Sequence, residues 1–176
     1  MYAKRKGEAF ESLVASILQV KLEQITGVKP VDKQLEVNRS RASGASKIDK
    51  GDIDFGIYYQ VAPVLTNIIV ECKKWKSFVK LEYSKVNPKQ IQSTIKAIYR
   101  LYSNYQHRHA NKKVILVFAG NRTPIYVAID KSDIQCLDNI IQFNYIEYKS
   151  VIIAKFIHLV DYWLPCIIQQ TALETE

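Results

Sequence analysis

Gly51-Asp52-Ile53-Asp54, followed after a short interval by Ile68-Ile69-Val70-Glu71-Cys72-Lys73, is the stretch that decides the fold. Two runs rich in Ile, Val and Tyr, Ile53 to Gln60 and Asn67 to Lys73, flank Ala62-Pro63 and predict a β-hairpin. A hairpin turning at that midpoint sets Asp54 almost opposite Glu71, with Cβ atoms about 4.5–5.5 Å apart. Strand alternation sends Glu71 and Lys73 to one face and Cys72 to the other. Two carboxylates that close repel unless positive charge lies between them. Lys73 supplies one such charge, and a hard divalent cation with oxygen ligands, magnesium above all, supplies the rest. An isolated acid-x-lysine triplet ordinarily faces solvent, but this one follows Ile68-Ile69-Val70, which places its acid at the end of a buried strand.

Outward from this stretch, Phe10, Leu13, Val14, Ile17 and Leu18 recur at helical spacing and predict a first helix from about Glu8 to Lys21. Glu11 shares a side with Val14 and Leu18, so it is a carboxylate at the edge of the core, where a cation suits it; Glu8, one turn earlier, is its rival. The polar stretch from Asn38 to Gly51 mixes flexible residues with cations and reads as a connector or as a mobile arm on a sugar-phosphate backbone. Asn87-Pro88 opens a second long helix through Ile91, Ile95, Ile98, Tyr99 and Tyr102. Val114 to Ala119 and Ile125 to Ile129 read as strands, Ser132 to Ile141 as a short helix, and Ser150 to about Ile168 as a last helix kinked at Pro165. The expected fold is α/β of mixed type, a central mixed sheet flanked by helices in the order α-β-β-α-β-β-α-α.

The 176 residues suit one domain spanning 1–176. A net charge of +8 and pI near 9.3 point to a polyanionic partner. Cys72, Cys136 and Cys166, odd in number and widely spaced, argue against a disulfide framework and a zinc cluster, and the expected location is cytoplasmic. Val151 to Ile168, the most apolar segment, carries Lys155, His158 and Asp161 and is a poor membrane span, so no membrane partner is expected.

Taken in order, these residues resemble the PD-(D/E)xK nuclease superfamily, and the N-terminal half looks most like archaeal Holliday junction resolvases. Lys6-Gly7-Glu8-Ala9-Phe10-Glu11 is similar to the start of that family's first helix. The Ser/Gly/Arg-rich loop, Gly51-Asp52-Ile53-Asp54 and Ile69-Val70-Glu71-Cys72-Lys73 then follow in the family's order. The resemblance covers roughly the first 120 residues. It implies a restriction-endonuclease-like core and a magnesium-dependent endodeoxyribonuclease, with manganese able to substitute and no small-molecule cofactor. Asp54 and Glu71 would hold the metal, Glu11 would support it, and Lys73 would stabilise the phosphate or orient the attacking water. No proline precedes Asp54, and Asp52 on the same strand face is the alternative ligand.

DNA contacts are expected from Lys4, Arg5, Lys6, Arg39, Arg41, Lys47, Lys74 and Lys76, which cluster around these carboxylates in the chain. Trp75 reads as packing in preference to base stacking, and His107 and His109 receive no role. The C-terminal helices, about 132–170, are apolar on more than one side, which suggests a homodimer able to make paired cuts on a four-way junction. Cleavage of linear or single-stranded DNA in restriction or repair, and non-catalytic nucleic-acid binding on the same fold, are the competing readings.

Overall fold

The computed structural model describes residues 2–40, 51–76, 87–137 and 144–173. Its first helix, α1 (Tyr2–Thr26), buries Phe10, Val14, Leu18 and Leu22 at four-residue spacing. Gly27 stops it with φ 70 while its N–H donates to Glu23 O at 2.9 Å, a closure that favours glycine.

The predicted hairpin is not what forms. Strand β1 (Asn38–Arg39) lies in the stretch expected to be a loop and pairs antiparallel with β2 (Ile53–Asp54), setting Asn38 across from Asp54. The chain then leaves the sheet. Gly56 adopts φ 59 against the Leu35 carbonyl, where a Cβ would collide with backbone, and Asp54 Oδ1 accepts its N–H at 3.0 Å. Helix α2 (Tyr58–Val61) and a 3-10 turn (Pro63–Asn67) follow. Fully buried Tyr58 anchors this detour, donating its hydroxyl to Val28 O at 2.8 Å. Tyrosine in a run that reads as strand is here the plug beneath a helical turn.

Strand β3 (Ile68–Lys74) therefore pairs with β4 (Lys113–Ala119), in parallel, with Glu71 opposite Leu116 and Lys73 opposite Phe118. Helix α3 (Pro88–Arg108) makes the crossover that a parallel pair requires. As expected, Asn87 caps it, accepting Lys89 N–H at 3.0 Å, with Pro88 in its first turn. Strand β5 (Tyr126–Asp130), a 3-10 segment (Lys131–Leu137), β6 (Tyr145–Tyr148) and β7 (Val151–Lys155) complete a five-stranded sheet ordered β3-β4-β5-β7-β6.

Two expectations for the C-terminal region are corrected. Val151–Lys155 is a strand and not the start of a helix: an unbroken β-branched run, buried on both faces, fits either period, and a two-residue turn with Lys149 at φ 56 folds it back on β6. The helical portion is α4 (Phe156–His158), a π turn (Leu159–Trp163) and α5 (Leu164–Leu173). The supposed short helix at 132–141 is the 3-10 segment as far as Leu137; its remainder lies outside the described residues.

Alternation along the strands separates two apolar layers. Val70, Ile115, Val117 and Ala119 face α1 and the C-terminal helices, whereas Val114, Leu116 and Phe118 face Ile95, Ile98 and Tyr102 of α3. Each aliphatic side chain fully buried in these layers contributes roughly 1.5–3 kcal/mol. Leu159, Val160, Trp163 and Leu164, from the segment expected to be apolar on more than one side, are buried in the first layer, leaving Ile157 and Tyr162 as the exposed large hydrophobics of the described C-terminal helices. No helix among the described residues is long and apolar enough to cross a membrane.

Candidate active site

Asp52 binds the outer edge of β3 twice. Its N–H donates to Val70 O, and its Oδ2 accepts the Cys72 N–H, both at 2.8 Å. Those contacts bracket Glu71. Gly51 permits the approach, since a Cβ there would stand 2.6 Å from Val70 O and 2.8 Å from the Ile69 side chain.

Glu71 is 6% exposed. Burial pushes its carboxyl up to about 8, and the negative charge of Asp52 adds to the effect; Arg108 opposes it, while a hydrogen bond shared with Asp52 and the charge of Glu11 act in the same upward sense. The Cys72 thiol is raised as well, by burial first and then by Asp52, Glu11 and Glu71. The charges of Asp52, Glu71 and Glu11 thus act on one another around this sheet edge. Asp54 instead turns its carboxylate to Gly56 and lines a groove with Ser12, Ser16 and Gln19. With the hairpin register gone, the reason for setting Asp54 opposite Glu71 is gone too.

Glu11 reaches the site from α1 with its side chain 13% exposed. Arg39 holds it, Nε donating to Glu11 Oε2 at 2.7 Å while Nη2 extends to Glu8 Oε1 at 3.4 Å. Glu8 and Glu11, rivals in the sequence, therefore share one guanidinium. Its hydrogen bond to Glu11 is also the main reason the Arg39 pKa is raised.

Lys73 is exposed two residues beyond Glu71, and Arg108 is a cation that acts on the Glu71 carboxyl. Lys74 donates to Gly120 O at 2.7 Å and lies over the Phe10 ring at 5.4 Å, so its stem covers core. Lys76 is exposed, and Trp75 packs edge-on against Phe118 at 5.6 Å. The side chains of Lys4, Arg5 and Lys6, and all of Arg41 and Lys47, lie outside the described residues.

His109 and Tyr105, which build the opposite wall, carry no signature in the sequence. His109, 3% exposed, caps α3 with its N–H on Tyr105 O, and its Nε2 lies 3.0 Å from Glu71 Oε1. Tyr105 has its hydroxyl pushed up to about 12, by burial first and then by Glu71 and Asp52. No spacing in the sequence announces these neighbours, because the contact exists only once α3 has crossed the sheet.

Paired, partly desolvated carboxylates are oxygen donors suited to a hard cation. No group of three or more His, Cys, Asp or Glu side chains forms a ready metal cage among the described residues. Magnesium at phosphate chemistry needs less, binding through one or two carboxylates with waters and substrate phosphates completing its shell. The donor set of Asp52 and Glu71 fits that ion.

A mixed five-stranded sheet between helical layers, with acidic residues gathered at the edge of β3, is the restriction-endonuclease-like arrangement. The chain belongs to the family whose model is described as "Phage putative PDDEXK endonuclease", which matches residues 2–166. No curated protein and no solved structure matches it.

Proposed function

We propose that this protein is a metal-dependent DNA endonuclease whose metal is held by Asp52 and Glu71. The observation that carries this reading is the contact of Asp52 with both sides of Glu71 on β3, which sets two carboxylates together in a partly buried site. When bound there, magnesium, or manganese in its place, supplies acidification of a water and offsets charge on the phosphate. Glu11, fixed by Arg39, adds negative charge beside the pair. Lys73 and Arg108 lend positive potential where the phosphate enters, which favours the charge that develops during hydrolysis.

Selectivity for four-way junctions is the finer part of this proposal. It is supported by the Lys6-Gly7 to Glu11 start of α1 and the order of the later motifs. A homodimer belongs with that reading, because symmetric paired cuts need two sites. The deciding experiment offers the purified protein labelled four-way junction, linear duplex and single-stranded DNA with magnesium. Symmetric incision of the junction in preference to the other two is expected. Cleavage confined to linear substrates would replace junction selectivity with the restriction or repair reading, and binding without cleavage of any of them would replace the enzyme with a binding protein.

A further inference from the structure

We infer that His109 is a positioning residue for the candidate metal ligand Glu71, an inference that rests on the metal site proposed above. Glu71 ends the buried part of β3, and His109 lies just past the last turn of α3, so the contact ties the two elements that form the wall of the site. Both side chains are almost wholly enclosed, at 8% and 4% exposure. A ligating carboxylate is ionised and only accepts hydrogen bonds, so the imidazole must then offer Nε2–H to Oε1. That donor fixes the rotation of the carboxylate about its terminal bond. Asp52, gripped by the Val70 carbonyl and the Cys72 N–H on the other flank, is fixed by the backbone. The pair is therefore held from two sides, one by β3 itself and one by the side chain that caps α3. Groups that orient a metal ligand in this way typically carry about 10- to 100-fold in metal affinity.

The geometry also separates this role from packing. Phe at position 109 keeps a ring of similar size and loses the donor; Gln shortens the packing surface but carries an N–H able to reach Glu71. If His109 only fills space, the Phe variant is the better substitute, whereas a positioning donor makes the Gln variant the better one.

The test is calorimetric titration of the full chain with manganese alone, in the absence of DNA, for the wild type, His109→Phe, His109→Gln and Glu71→Ala, with thermal melting to establish folding. Wild-type binding, its loss in Glu71→Ala, weakening of about 10- to 100-fold in His109→Phe and retention within a few-fold in His109→Gln are expected. A His109→Phe variant that binds like the wild type overturns the inference while leaving the metal site intact. Wild type and Glu71→Ala binding alike, or neither binding, overturns the site and the inference together. Nuclear magnetic resonance of the wild type needs no variant at position 109: its three histidines are few enough to assign through changes at His107 and His158. The His109 Nε2–H signal is expected to move on saturation with magnesium, and an unmoved signal overturns the inference.

Discussion

Glu71 and His109 lie 38 positions apart in the chain, and their Oε1 and Nε2 atoms meet at 3.0 Å inside the protein. The contact defines the site as a junction between the end of β3 and the end of α3, with Asp52 closing it from the sheet edge.

The contribution of Glu71 to stability falls as pH rises. Glu71 has a carboxyl pKa near 8 in the folded chain against 4.5 for the ordinary group, so the folded state holds the proton more tightly than the unfolded one. Its stabilising contribution is fully present below 4.5, declines between 4.5 and about 8, and is gone above that. The change is on the order of a few kcal/mol. Melting temperatures across this window should drop in the wild type and change less in Glu71→Gln, and added magnesium should recover more stability at the alkaline end. Parallel profiles for the two proteins would contradict the burial of the Glu71 carboxyl beside Asp52.

Asp52 and Asp54 are separable. Asp52→Asn should lower cleavage by roughly 10²-fold or more, the scale of a lost electrostatic contact at the reacting phosphate. Asp54→Asn retains an oxygen to accept the Gly56 N–H and should lower it much less. Rates measured under single-turnover conditions decide, and the reverse ranking would return the ligand role to Asp54.

Gly51→Ala tests the approach of Asp52 to the strand. The added methyl would press on Val70 O at 2.6 Å, so Asp52 must withdraw. A stability loss of about 1–3 kcal/mol in denaturant titration, with metal affinity reduced as well, is expected.

Arg39 and Lys76 should differ in how they bind DNA. Arg39 is engaged by Glu11 and Glu8, whereas Lys76 is exposed. Removing a cation that meets phosphate lowers the slope of affinity against salt by about 1. Lys76→Ala should show that change, and Arg39→Ala should change the slope less while weakening metal binding through a displaced Glu11.

Much of this arrangement was legible in local sequence. The spacing of Phe10, Val14 and Leu18, the Asn87-Pro88 cap and the apolar run ending in Glu71 each act within a few residues, and each element stands where that chemistry put it. Glu11 was legible for the same reason, as a carboxylate beside the buried stripe. What was not legible depends on distant partners. The run from Ile53 to Gln60 has strand composition, but Tyr58 finds Val28 and Gly56 turns against Leu35, so tertiary contacts override propensity. Val151–Lys155 carries no period that separates a central strand from a buried helix. The choice of Asp54 followed from the hairpin register and changed with it, and His109 became visible only through the packing of α3 on the sheet.

Cleavage of labelled DNA by the wild type and by Glu71→Gln, each with magnesium and with excess chelator, tests the central claim most directly. The substitution preserves shape and removes the charge that binds the cation. Cutting by the wild type only with magnesium, and loss of at least about 10²-fold in Glu71→Gln, is the predicted result. Equal cutting by the two proteins, or cutting that continues in chelator, would contradict it.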